Sequence, residues 1–260
     1  MSRIFIAIYC LIVCAGFNVT AAQAITSSEV VRQFEAMDWY TEEYPPYNFV
    51  GEDGVPSGIA VDILMAAFKR MNVNVPPSRI KIVPWADSYV RILRNPGTAL
   101  FSMTYTPERL KFMKIIGPSV QSSVSIIALK KNKVSIKSEA DLRRLMVGVI
   151  RDDIGDQLVR KFAISDSFVI KTKSVEKLTR LLLGGRVDVV VYATEVFNHA
   201  VKRFGGNVDD YESVYTLQKG KMGYAFHEET DIEVLNRLQS TIDAMWAEGI
   251  VDKITNKYRE

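Results

Sequence analysis

The chain has 260 residues, 48% of them hydrophobic, with 33 basic and 30 acidic side chains for a net charge of +3. So even a balance lacks the clustered positive excess that nucleic-acid binding leaves in a sequence, while the length supplies material for one large core or two. His199 and His227 have no cysteine or second histidine at ligand spacing, so neither a metal nor a cofactor is expected.

At the N-terminus, Arg3 precedes an uncharged run from Ile4 to Val13, and Ala22, Gln23, Ala24 have the small-x-small form of a signal-peptidase site. Residues 1–24 are therefore predicted to be a cleavable signal peptide that sends the chain to the periplasm. The apolar run is too short to span a bilayer comfortably. Lipidation at Cys14 is the lesser alternative, because Val13 stands where a small residue would be expected. Both cysteines, Cys10 and Cys14, fall in the removed segment, so the core of the mature chain has to hold without disulfides.

A first strand is predicted over Phe34 to Tyr40, broken by Tyr44, Pro45, Pro46 and Tyr47, where paired prolines forbid helix. After the turn at Gly51, Gly54 and Gly58, apolar residues from Ala60 to Met71 recur at helical spacing. A short strand at Ile80 to Ile82, a helix around Asp87 to Arg94 and a strand over Ala99 to Met103 complete a βαβαβ unit with parallel strands. A second unit begins near Lys133. Ser138 with Asp141 reads as a capping box opening a helix through Leu145. Strands at Val147 to Ile150, Phe168 to Lys171 and Val187 to Tyr192 alternate with helices at Gly155 to Phe162, Val175 to Leu183 and Thr194 to Phe204. Two further strand-like pieces, Ser213 to Leu217 and Gly223 to Phe226, lead to a last helix. Thr230 and Glu233 read as its capping box, and Leu235, Leu238, Ile242, Met245 and Trp246 form its apolar stripe.

Chemistry concentrates at Leu100 to Arg109, where an apolar run delivers Ser102, Thr104 and Thr106 and then a fixed positive charge. A guanidinium just past a strand end can meet a carboxylate or phosphate bidentately in a crevice, because ligands of open α/β sheets sit outside the carboxyl ends of the strands. The plainer alternative is an arginine paired with Glu108 at the surface. Two α/β units imply two lobes, and Arg109, the loop after Ile150 and the segment after Tyr192 are three expected edges of a cleft between them.

The ordered pieces Tyr44 to Phe49, Gly58 to Asp62, Thr106 with Glu108 and Arg109, Gly117 and Pro118, Val147 to Arg151, Arg186 to Asp188, and Glu248 and Gly249 through Lys257 and Tyr258 make Phe34 to Tyr258 resemble the bacterial extracellular solute-binding proteins of family 3. These are the periplasmic receptors of polar amino-acid ABC transporters. The resemblance implies an α/β, two-lobe periplasmic-binding-protein fold of type II with hinge-linked lobes. Lobe 1 would be discontinuous, 25–128 and 222–260, with lobe 2 at 129–221 and chain crossings near Ala128 to Lys130 and Lys219 to Met222.

By the same resemblance Arg109 grips the ligand carboxylate, Ser102 and Thr104 line the site, Tyr44 covers the bound side chain and Trp85 lines the pocket, with a core tryptophan as the alternative for Trp85. Three positions depart from the family pattern. Ala193 stands where an ammonium-binding acid is usual, with Glu195 two residues on either substituting for it or simply favouring its helix start. Asp153 stands near a usual hydroxyl and would repel a carboxylate or hold an ammonium group. Arg151 offers a second anion grip, the alternatives being a solvated side chain or one paired with Asp152. The resemblance implies a non-enzymatic, monomeric receptor that closes over a small polar, carboxylate-bearing solute and delivers it to an inner-membrane ABC permease. The alternatives are a ligand-sensing module for a membrane signalling partner and a dehydratase-like enzyme using Glu195 and Asp153 as an acid–base pair.

Overall fold

The computed structural model describes residues 26–258, so the expected signal peptide lies outside the described residues. In chain order the elements are α1 (Ser27–Ala36), β1 (Asp38–Thr41), β2 (Phe49–Val50), β3 (Pro56–Ser57), α2 (Ile59–Met71), β4 (Lys81–Ile82), α3 (Trp85–Arg94), β5 (Thr98–Thr104) and β6 (Met113–Leu129). There follow β7 (Val147–Ile150), α4 (Ile154–Lys161), β8 (Val169–Thr172), α5 (Val175–Leu183), β9 (Val189–Ala193), α6 (Thr194–Arg203), β10 (Tyr211–His227), α7 (Ile232–Ala247) and α8 (Ile250–Asn256).

Eight strands form one mixed sheet in the order β4-β1-β5-β10-β6-β9-β7-β8. Pairing is parallel within β4-β1-β5 and within β9-β7-β8, and antiparallel through β10 and β6 at the centre. This alternation reverses the two outer groups of strands relative to each other. Thr104, the last residue of β5, pairs with Met222, while Ala193, the last of β9, pairs with Val124, which in turn faces Gln218. The carboxyl ends of both groups therefore converge on the same short stretch of β10, and the loops after them have to meet there.

The two 17-residue central strands exceed the predicted elements. No strand was expected over most of β6, and β10 was expected as two pieces. Sequence alternation is weak in both because one end of each strand is buried on both faces, Val124 to Leu129 and Met222 to His227, while the rest is only partly covered, and three register shifts between them absorb the irregularity. They change neighbours part-way: Val124 to Ala128 pair with β9, whereas Met222 to Phe226 pair with β5. On the first strand this change lies before Val124, ahead of the crossing expected at Ala128 to Lys130.

Other boundaries also move. Phe34, expected in a strand, lies in α1. Thr26 caps that helix by accepting from the Glu29 N–H, and Val30 and Phe34, one turn apart, bury its inner face. The Ser138–Asp141 capping box forms, but it opens a 3-10 segment, Glu139–Arg144. At α7 the cap is Asp231, which accepts from the Glu233 N–H at 2.8 Å, in place of Thr230. Gly155 lets the start of α4 press on β9, since a Cβ there would sit 2.3 Å from the Val191 carbonyl oxygen.

Candidate functional site

The whole of β5 is buried, and it ends at Thr104. The chain then turns, with the Thr106 hydroxyl accepting from the Arg109 N–H at 3.1 Å. This fold-back drives the Arg109 side chain inward until the residue is only 1% exposed. Its Nη1 donates to the Thr104 carbonyl at 3.2 Å, while Nε and Nη2 have no hydrogen-bond partner. The guanidinium carbon lies 5.3 Å from the centre of the Trp85 ring and 5.7 Å from that of Tyr89. These two rings stack on each other at the start of α3. Glu108 stays exposed, so a surface pair with Arg109 does not form. Burial pulls the Arg109 pKa down, and the Asp153 carboxylate opposes that shift.

Asp153 occupies the N-cap position of α4, on the other group of strands, and is 5% exposed. Its Oδ2 has no hydrogen-bond partner, and burial raises its pKa to about 6 despite the nearby Arg109 charge. A second buried acid, Glu42, was not among the expected residues. It directly follows β1, is 9% exposed, and is pushed well above the ordinary carboxylate range by burial and then by Asp153, with Arg109 acting the other way. Tyr192 was also missed. Near the end of β9 it meets Tyr44 edge-on at 5.8 Å, and both phenols are buried. Burial raises the pKa of each, reinforced by Glu42 and Asp153.

Ser102 takes a left-handed backbone, φ 54°, and its hydroxyl donates to the Asn48 side chain, whose amide donates to the Glu42 carbonyl at 2.8 Å. Its hydroxyl thus fixes the loop that carries Glu42, and Thr104 contributes its carbonyl to Arg109. Trp85 does more than cap the sheet, because its indole N–H donates to the Asp152 carbonyl at 3.0 Å across the cleft. The Glu43–Arg203 ion pair and the bond from the Tyr47 hydroxyl to Glu195 join the same two groups of elements, and the Tyr47 hydroxyl also bonds to the Gln121 carbonyl.

Two expected residues lie elsewhere. Arg151 is exposed, because the chain leaves β7 through a left-handed turn at Asp152, φ 60°, and Asp152 pairs with Arg160 at 3.6 Å. Glu195 is exposed in the first turn of α6 and lines a separate groove of about 590 Å³ with Lys202 and Asp252. It therefore takes the helix-start alternative and does not oppose Asp153 as an acid–base partner. Another groove, of about 740 Å³, runs beside the buried cluster, with Arg109, Tyr89, Tyr105, Phe112, Leu158 and Lys161 along its walls.

One guanidinium and two carboxyl groups are thus buried close together beside Trp85, Tyr44 and Tyr192. Such a set can receive an anion at the unpartnered guanidinium nitrogens and a cation at the acids, with the rings supplying flat apolar walls. Among the described residues no group of three or more His, Cys, Asp or Glu is arranged to hold a metal, and no helix is long and apolar enough to cross a membrane.

Comparisons with known proteins agree with this architecture. The sequence model of the bacterial extracellular solute-binding proteins, family 3, matches residues 39–260. The octopine-binding periplasmic protein of Rhizobium meliloti is 24% identical over 217 residues, covering 74% of this chain and 70% of that protein. ABC transporter arginine-binding protein 1 of Escherichia coli (strain K12) is 24% identical over 221 residues, covering 83% and 86%. Among solved structures, a histidine kinase sensor domain with similarity to periplasmic binding proteins superposes with a TM-score of 0.78 at 19% identity, covering 88% of this chain and 97% of that one.

Proposed function

Because the chain belongs to the bacterial extracellular solute-binding proteins, family 3, we propose that it is a monomeric periplasmic receptor for a small solute bearing a carboxylate and a cationic group. It is exported by residues 1–24 and hands its guest to an inner-membrane ABC permease. The observation that carries this reading is Arg109, a buried guanidinium with two unpartnered nitrogens, close enough to the buried acids Asp153 and Glu42 for its charge to act on both. A carboxylate on Arg109 completes its hydrogen bonds, and a guest cation between Asp153 and Glu42 stabilises both in their charged forms. Asp153 thereby takes over the work that Ala193 cannot do. The names of the octopine- and arginine-binding relatives support a guest of this kind.

In this reading lobe 1 carries Arg109, Glu42, Tyr44 and Trp85, lobe 2 carries Asp153 and Tyr192, and β6 and β10 bend where they change neighbours, at about 121–124 and 219–222. Guest contacts made to both lobes only when closed raise the closed population, and that shape is what a permease reads. The receptor performs no chemistry on its guest. The test is native mass spectrometry of freshly purified protein to identify a co-purified solute, followed by calorimetry. A guest with one carboxylate and one or more cations, lost on Arg109→Ala, is expected. A neutral or purely anionic guest, or one indifferent to that substitution, overturns the reading.

A second reading, an input module for a membrane kinase, is supported by the fold shared with the histidine kinase sensor domain. Recovery of a kinase in place of a permease from inner-membrane extract would favour it.

A further inference from the structure

The 740 Å³ groove has a size typical of small-molecule sites, yet the buried cluster beside it is sealed by Trp85, Tyr44 and Tyr192. Arg109 belongs to both. It is a wall of the groove and the cation of the cluster, and its Nε and Nη2 remain without hydrogen-bond partners. The rest of the groove is built from both groups of strands and sets apolar side chains among charged ones, Glu108, Asp152, Arg160 and Lys161. Tyr105 and Phe112 flank Arg109 in the chain, and Leu158 comes from α4 opposite. Phe112 is 57% exposed, with the exposed Leu110 two residues before it. Adjacent large apolar side chains left open beside a buried, unsatisfied guanidinium mark a surface that an apolar group can cover.

We propose that the guest is a dipeptide or amino-acid derivative whose carboxylate-bearing carbon carries a large apolar arm, the arm lying in this groove against Tyr105, Phe112 and Leu158. The carboxylate meets Arg109 where the two compartments join, and the cationic end enters the acidic cluster. This assignment rests on the reading of Arg109 as the carboxylate grip. It adds what that reading leaves open, namely that the guest is larger than a free polar amino acid and that Phe112 sets its preference.

The test is calorimetry with L-arginyl-L-phenylalanine, L-arginylglycine and L-arginine on the wild-type chain, Phe112→Ser and Arg109→Ala. The first two probes differ only in the arm. On the wild-type chain the phenylalanine dipeptide is expected to bind at least about tenfold more tightly than the glycine one, as burial of an aromatic ring implies. Phe112→Ser should shrink that ratio to about threefold or less. Phe112 is exposed, so the substitution leaves the core untouched. Equal affinities on the wild-type chain, or a ratio that Phe112→Ser does not change, overturn the groove assignment while the Arg109 reading stands, provided Arg109→Ala abolishes binding of L-arginylglycine. If none of the three probes binds the wild-type chain, the Arg109 reading fails and the groove assignment with it.

Discussion

Trp85 and Asp152, 67 residues apart in the chain, are joined by the indole N–H donating to the backbone carbonyl at 3.0 Å. The same indole lies 5.3 Å from the Arg109 guanidinium carbon. One ring thus lies over the buried guanidinium and ties the two groups of strands together beside it. Asp152 immediately precedes Asp153, so the bond also fixes the approach of that buried acid.

Trp85→Phe keeps an aromatic face over Arg109 and removes the N–H. Loss of one partly buried hydrogen bond costs about 1 kcal/mol, so ligand affinity should fall roughly fivefold. Small-angle scattering of the ligand-free variant should show a larger radius of gyration than the wild-type chain. An unchanged affinity and radius would remove this bond from the closure.

Asp153 makes stability depend on pH in an unusual direction. Its pKa of about 6 in the folded protein exceeds its ordinary value of 3.8, so between those values the folded state binds more protons than the unfolded one. Stability from this group is greatest below about pH 4, falls as pH rises toward 6, and stays reduced above it. Asp153→Asn removes that loss. In urea unfolding without ligand the variant should be more stable than the wild-type chain at pH 7.5, on the order of 2–3 kcal/mol, and the gap should close near pH 4. A variant less stable at pH 7.5 contradicts the burial-dominated origin of the shift.

Gly155→Ala tests how α4 is seated. The added methyl would fall 2.3 Å from the Val191 carbonyl oxygen, backbone that cannot rotate away. Overpacking of this kind costs about 1–3 kcal/mol. Because α4 carries Asp153 at its start, thermal unfolding should shift down and ligand affinity should fall together. A loss of stability with full affinity would show that the helix start is not held by this contact.

The end of β5 just before Arg109 was legible in the sequence, because the apolar run from Ala99 to Met103 gives way to hydroxyls and a charge, whereas the burial of that charge away from Glu108 came only with the folded loop. The boundaries of α5, Val175 to Leu183, were legible too, from clean helical spacing ended by two glycines. The run from Phe34 to Tyr40 misled because aromatic residues favour strands, while the i, i+4 pair Val30 and Phe34 fits α1 only once α7 covers it. Glu42 was not legible. It and Glu43 are adjacent and chemically alike, and only the folded loop buries one and pairs the other with Arg203. Arg151 and Asp153 pose the same problem in reverse, since a single left-handed residue between them sends one outward and one inward.

The proposed receptor depends on the buried Arg109 guanidinium gripping a carboxylate. Calorimetric titration with L-arginine and L-argininamide, which differ in that one group, tests it most directly. L-arginine should bind, and the amide should bind at least about a hundredfold more weakly, since a buried charge pair truncated on one side loses roughly 2–5 kcal/mol. Equal affinity for the two, or binding of the amide alone, would contradict it.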